Sequence, residues 1–377
     1  MKLPATGLLE RRHGRLRDAL DALHLDALIV TSAVNIQYLT NHVGSAGLLV
    51  ATRDAMHLVL DFRYRESMRT TQASPAACPA LRVWDVSSTY DEALLECLAG
   101  IGIAAVGFEA GHLTVARHTW WRDAAHARRV DLAFRPTERV VEQMRLVKDE
   151  FEVGKLREGA RRLTDVASAA FAAAKAGLAE RVVGGAIEAA LRDAGFERPA
   201  FETIVASGPN SALPHHRAGD RVLANGDLLV LDFGGVLDGY CCDLTRTVSI
   251  GQPSAEARRV HDAVLAAQAA AIAAVRPGID ASEVDAAARS VLEQRGLGPA
   301  FGHGTGHGLG LDVHEEPRVG QRRTDSAPAV LVAGMVFTVE PGAYLPGFGG
   351  VRIEDDVLVT ETGCDVLTAV PSGLQVF

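Results

Sequence analysis

The sequence has no apolar run of membrane-spanning length, and its charged start, MKLPATGLLERRHGRL, lacks the apolar centre of a signal peptide. The expectation is a cytoplasmic protein that engages no membrane. Cysteine is scarce: five residues, none in a C-x-x-C pair, which excludes a disulfide framework and a zinc-finger pattern. The adjacent Cys241 and Cys242 read as small strand residues in a reducing compartment. Basic residues are outnumbered, 38 Lys and Arg against 47 Asp and Glu for a formal charge of −9. No basic stripe with interleaved aromatics occurs, so nucleic acid is not an expected partner. A nucleotide-binding glycine loop is missing too. In GHGTGHGLGLDVHE (302–315) glycine holds every even position from Gly302 to Gly310, but the third glycine of a G-x-G-x-x-G would fall on His307, Leu309 or Leu311.

What is present suits a soluble enzyme. A chain of 377 residues with 48% hydrophobic content exceeds the size at which one core keeps growing, so two domains are expected. Apolar runs at 26–31, 47–52, 56–61, 81–86 and 104–109 predict strands, with helices at about 8–23, 61–71, 90–99 and 114–127 between several of them. That alternation predicts an α/β layer domain over residues 1–140. Pro136 breaks the pattern, and Asp149 with Glu152 forms a capping arrangement for an Ala-rich helix to about Lys175. Further helices at 183–194, 255–275 and 281–295 alternate with apolar strand pairs, which predicts an α+β domain over 141–377 with a mainly antiparallel sheet. Gly195, Gly278 and Gly296 mark helix ends.

Two strand pairs carry carboxylates where apolar residues would pack better. Asp232 ends the run Leu228–Leu231, and Asp243 follows a turn containing Gly239; taken singly, either could be a turn residue or the partner of Arg246. Glu340 closes the apolar strand 335–339, and Glu354 lies in VRIEDDVLV, read as one returning strand. Buried charges lose several kcal/mol of hydration unless offset, and four converging carboxylates would take up protons. Two divalent ions would cancel them, with His307 as a neutral nitrogen ligand. Such ions can share a water acidified toward neutral pH, the chemistry of metal-assisted hydrolysis.

In this order, LLVLDFGG, CCDLTRT, GTGHGLGLDVHE, FTVEPGAY and VRIEDDVLVT resemble the five ligand-bearing segments of the pita-bread metallopeptidases, family M24. RLVKDEFEVGKLREGA resembles the start of the catalytic domain in its proline-specific branch, the Xaa-Pro aminopeptidases and prolidases. NIQYLTN (35–41) and LDFRYRESM (60–68) resemble the N-terminal domain this branch shares with creatinase, so the resemblance spans essentially the whole chain. It implies a creatinase-like α/β domain followed by a pita-bread catalytic domain. It further implies that Asp232 binds one metal ion, that Asp243 and Glu354 bridge two, and that His307 and Glu340 complete the second. Glu340 would also accept a proton from the attacking water. His215 would contact substrate near the scissile bond, His303 would line the proline-side pocket, and His314 would stabilise the developing negative charge. Arg352 and Tyr344 would orient carboxylates and water.

The implied ions are manganese first, with zinc or cobalt as alternatives, and the implied substrate is a proline-containing di- or oligopeptide. A homodimer is implied as well, with Trp120 and Trp121 as candidates for the border with the partner's site. His216 has no implied role and reads as a pocket-wall or surface residue. His13, His57, His112, His118 and His126 read as surface or satisfied polar residues. Creatinase-like amidinohydrolases, lyases and catalytically silent binding proteins share the fold with altered or lost ligands. Retention of all five ligand positions argues against them here, and the N-terminal domain argues against methionine aminopeptidase.

Overall fold

Two units make up the chain, residues 2–145 and residues 146–377 with Met1; the computed structural model describes residues 1–322 and 328–377. In the N-terminal unit the apolar runs become β1 (Ala27–Val30), β2 (Leu48–Thr52), β3 (Met56–Leu60), β4 (Leu81–Asp85) and β5 (Ala105–Glu109), with β6 (Ala133–Thr137) added at one edge. They form one mixed sheet in the order β4-β3-β2-β1-β5-β6. β1 to β3 are near-continuous apolar runs because both of their faces are buried. The helices are α1 (Thr6–Ala22), α2 (Ala33–Thr40), α3 (Phe62–Gln72), α4 (Tyr90–Ile101), α5 (Val115–Ala127) and α6 (Val140–Arg145). Side chains of Ser32, Asp61, Thr89 and Thr114 accept from the first free N–H groups of α2 to α5, which fixes where those helices begin.

Three elements of this unit were not read from the sequence: α2, β6 and α6. Pro136 does not end the pattern but lies inside β6, opposite Phe108. At a sheet edge the missing N–H costs no ladder bond on the open side. Trp121 is fully buried and donates to Asp91 Oδ1 at 2.6 Å, whereas Trp120 is 40% exposed. His13 and His57 are buried and hydrogen-bonded, to the Leu39 carbonyl and to Trp84 Nε1.

The second unit opens with α7 (Glu150–Ala173), whose Asp149 and Glu152 close a reciprocal capping box, and α8 (Glu180–Asp193). These cover β7 (Arg198–Pro199), β8 (Ile204–Ser207), β9 (Leu228–Leu237) and β10 (Tyr240–Ser249), with Leu163, Val166 and Ile187 in one core with Leu229, Leu231 and Phe233. After α9 (Ala255–Ala274) and α10 (Ala281–Gln294) come β11 (Gly306–Gly308), β12 (Glu315–Val319), β13 (Val336–Val339), β14 (Gly342–Leu345), β15 (Gly349–Arg352), β16 (Asp355–Val359) and β17 (Cys364–Val366). Five of these form the sheet β12-β11-β13-β16-β17, and β14 pairs β15. The named strands of this unit pair antiparallel throughout.

VRIEDDVLV is not one strand. β15 stops at Arg352 on β14, β16 starts at Asp355 on β13, and the two residues between them cross from one sheet to the other. The Ile353 and Glu354 N–H groups bond instead to the carbonyls of Pro341 and Thr245. Glu354 is thereby drawn against β10.

Candidate metal centre

The β9–β10 hairpin places the first two carboxylates. Asp238 and Gly239 both have positive φ (51° and 88°), the conformation an Asp-Gly turn of type I′ requires, and Leu237 pairs directly with Tyr240. That turn locks the register, in which Asp232 faces Thr245 and Asp243 faces Gly234. Asp232 and Asp243 are therefore diagonal neighbours on one face of the hairpin, and a one-residue slip would turn both away. The lack of a side chain at Gly234 is needed, since a Cβ there would collide with the Cys242 carbonyl.

β11 brings His307 to the same place. A Cβ on Gly306 would strike the Thr338 carbonyl and one on Gly308 the Glu316 carbonyl, so only glycine lets β11 lie this close to β13 and β12. His307 Nδ1 lies 3.1 Å from the Gly308 carbonyl, which can only accept, so the ring proton sits on Nδ1 and Nε2 keeps its lone pair. Nε2 is 3.5 Å from Glu340 Oε1, and the His314 ring centroid is 4.3 Å from that of His307. One potential donor atom from each of Asp243, His307 and Glu354 lies within 4.8 Å of the other two.

A polar chain runs outward from Asp232. Arg352 Nη2 donates to Asp232 Oδ2 at 2.5 Å, and Arg352 Nη1 donates to Tyr344 Oη at 2.9 Å. His303 donates from Nδ1 to the Gly304 carbonyl, so its Nε2 accepts from Tyr344 Oη at 3.0 Å. Asp285 and Arg289 of α10 hold this segment by bonds to Thr305 and to the His303 carbonyl. His215 is exposed, on the loop after the 3₁₀ turn Gly208–Ala212. His216 is not a bare wall residue: its Nε2 pairs with Glu180 at 2.8 Å. Arg246 is not the partner of Asp232 or Asp243 either. It pairs with Asp355 at 2.7 Å, because neighbouring residues of β10 face opposite ways.

Three contributors went unread in the sequence. Thr245 donates to Glu354 Oε2 at 2.6 Å, Thr338 approaches Glu340 Oε1 at 3.5 Å, and Asp356 Oδ2 accepts from the Asp243 N–H at 3.1 Å. Thr245 could have been found from hairpin register alone, as the residue opposite Asp232.

Burial, then repulsion from Asp232, Asp356 and Glu340, holds the Asp243 carboxyl well above its usual range. Glu354 is raised well above its ordinary value by burial and by Asp243, Glu340 and Asp232. Glu340 is pushed up to about 8, chiefly by burial, with Arg352 working against it. Burial lowers His307 and His303 to about 4, leaving both imidazoles neutral near neutral pH. Meanwhile Asp232 Oδ1, Asp243 Oδ1 and Glu354 Oε1 are buried without a hydrogen-bond partner. Clustered acceptor oxygens left without donors are costly in a dry interior, and beside an available imidazole nitrogen they suit a divalent cation. The residues present therefore fit a metal.

Comparison with known proteins agrees with this geometry. Residues 154–361 match the model of metallopeptidase family M24, and residues 12–147 match the creatinase/prolidase N-terminal domain. A Xaa-Pro dipeptidase of Pyrococcus furiosus is 32% identical over 362 residues, covering 96% of this chain and 98% of that protein. The Xaa-Pro dipeptidase structure from Bacillus anthracis superposes with a TM-score of 0.91 at 34% identity, covering 98% of this chain and 100% of that one. An X-Pro aminopeptidase structure from Thermotoga maritima gives 0.85 at 32% identity, covering 96% and 100%. The expected fold, a creatinase-type domain followed by a pita-bread catalytic domain, is the one observed. With the family model covering more than half of the sequence and Xaa-Pro peptidases aligned along nearly all of it, the chain belongs to metallopeptidase family M24, in its Xaa-Pro branch, as a metallo-hydrolase.

Proposed function

We propose that this protein hydrolyses the bond before proline, at the N-terminus of peptides or in dipeptides, with two divalent ions. Asp232, Asp243, His307, Glu340 and Glu354 would hold them. The observation that carries this reading is the convergence of Asp243, His307 and Glu354 within 4.8 Å, on a face where three carboxylate oxygens lack donors. When bound, such ions polarise a carbonyl and make hydroxide available from water near neutral pH. Glu340 is the proton acceptor: its carboxylate Oε1 lies 3.5 Å from His307 Nε2, beside the position where the attacking water would be activated. His314, beside His307, stabilises negative charge growing on the scissile carbonyl. His303, neutral and held by Tyr344, forms the wall on the proline side, and His215 contacts substrate near the scissile bond. Arg352 and Tyr344 fix Asp232 and His303 in orientation. Four oxygen donors against one imidazole favour manganese, with zinc and cobalt tolerated. A cytoplasmic homodimer completes the proposal, with the exposed Trp120 near the partner's site; Trp121, buried in the core of its own unit, does not serve at that border.

Purified protein loaded with manganese is expected to bind near two ions per chain and to cleave Xaa-Pro or Xaa-Pro-Xaa peptides; comparing the two lengths across manganese, zinc and cobalt assigns substrate and metal. Failure to cleave any such peptide when metal-replete overturns the reading. The histidines separate by role. His307→Ala is expected to lower metal content, whereas His314→Ala keeps the metal and loses about 100-fold or more in kcat, the scale of a removed charge-stabilising donor. Equal metal loss in both variants would show that the roles are divided wrongly.

A further inference from the structure

The loop that carries His215 is gripped from beneath by one carboxylate. Glu180, the first residue of α8, is fully buried. Its Oε1 accepts from the Ser207 N–H at 2.8 Å, the Ser207 hydroxyl at 2.6 Å and Asn210 Nδ2 at 3.0 Å. Its Oε2 accepts from His216 Nε2 at 2.8 Å and the Gly219 N–H at 3.2 Å. Five donors thus converge on one side chain from the start, middle and end of residues 207–219. Burial alone would raise the Glu180 carboxyl, but the bonds from Ser207, His216 and Asn210 outweigh it and leave the group below its usual value, a stable anion. Arg221 lies close by, donating to the Ser207 hydroxyl at 2.6 Å and pairing with Asp227.

The other side of the loop rests on β15. The Gly350 N–H donates to Ser211 Oγ at 2.8 Å, and a Cβ on Gly350 would collide with the Ser211 carbonyl. β15 ends in Arg352, which holds Asp232. The loop is therefore fastened between α8 and the strand whose last side chain reaches the carboxylate cluster. His215 itself is exposed and free to face substrate, while the next residue is tied down. An anchor on His216 and on the Gly219 N–H sets where the His215 backbone stands.

We propose that Glu180 is a positioning residue for peptide hydrolysis, aiming His215 at the substrate through its bond to His216. This rests on the reading of His215 as a substrate-contacting group. A structural role alone would predict lost stability; a positioning role predicts lost turnover in a protein that still folds and binds metal, since a displacement of about 1 Å in a catalytic array costs up to about 100-fold.

The test is a set of manganese-loaded variants, each measured for kcat, KM, metal content and Tm. His216→Ala is expected to lower kcat/KM about 10- to 100-fold, mainly in kcat, with metal content and Tm close to the parent. His216→Gln, which keeps an N–H donor toward Glu180, is expected to recover most of the loss, and Glu180→Gln to reproduce it if that variant folds. In a His215→Ala background, His216→Ala is expected to add nothing. If His215→Ala impairs turnover and His216→Ala adds its full effect on top, the positioning proposal is overturned and the reading of His215 stands. If His215→Ala leaves turnover intact, the reading of His215 falls and the proposal falls with it.

Discussion

Asp243→Asn is expected to leave the protein folded and to reduce Xaa-Pro hydrolysis by at least about 1,000-fold. The substitution preserves shape on the buried strand β10, so the hairpin register and its Asp-Gly turn stand. It removes one negative charge from the three-residue set that also contains His307 and Glu354. Charge stabilisation of the kind such a site supplies amounts to several kcal/mol, and each 1.36 kcal/mol is about tenfold in rate. The same variant is expected to be the more heat-stable protein once metal is stripped. Asp243 is pushed far toward its neutral form by burial and by Asp232, Asp356 and Glu340, so without a cation folding near neutral pH must protonate it, a cost that the uncharged amide avoids. For a unit of this size each kcal/mol regained raises Tm by about 2–4 °C. Activity within tenfold of the parent in the manganese-loaded variant would remove Asp243 from the proposed ligand set.

Stripping the metal is expected to reverse the pH dependence of stability. In the unfolded chain Glu340 titrates near its ordinary value of 4.5, whereas in the fold it holds its proton up to about 8. Asp243 and Glu354 are displaced in the same direction. Between those limits the folded metal-free protein binds more protons than the unfolded chain, so its stability is full below about 4.5 and drains away as pH rises toward about 8. His303 and His307, lowered from 6.5 to about 4, act oppositely: their contribution is complete above 6.5 and is lost as pH falls toward 4. The decline is therefore cleanest between pH 6.5 and 8. Divalent ions bind the deprotonated carboxylates, so the loaded protein should gain stability over the same interval. Denaturant midpoints at pH 6.5 and 8, with chelator and with manganese, check this; parallel profiles would refute it.

Much of this architecture can be read from local chemistry. The capping box at Asp149 and Glu152, the positive-φ glycines at Gly195, Gly278 and Gly296, and the Asp-Gly turn before β10 each depend on residues adjacent in sequence. The acidic residues of apolar strands stand out because burying them needs a partner. What escaped reading depends on contacts distant in sequence. The break at Ile353 and Glu354 follows from bonds to Pro341 and Thr245, and an uninterrupted apolar-acidic pattern does not record it. Arg246 and Arg352 look equally able to serve Asp232, but alternation along β10 turns Arg246 to the other face, toward Asp355, while β15 ends with Arg352 against Asp232. Glu180 lies outside the helix predicted at 183–194, and its five donors come from a loop that begins 27 positions later, so nothing local marks it.

The alternating glycines of residues 302–310 bear on how the site would adapt to different ions. A methyl at Gly304, Gly306, Gly308 or Gly310 would meet, respectively, the Val319, Thr338 and Glu316 carbonyls and the Glu315 carboxylate. Neighbours on several sides thus fix the height of β11, and the His307 imidazole stands on it like a part seated in a jig. On the proposed ligand set, ions of different radius would meet the His307 nitrogen as a stationary reference, and the adjustment would fall to the carboxylates, whose side-chain torsions can rotate while their strands stay in register.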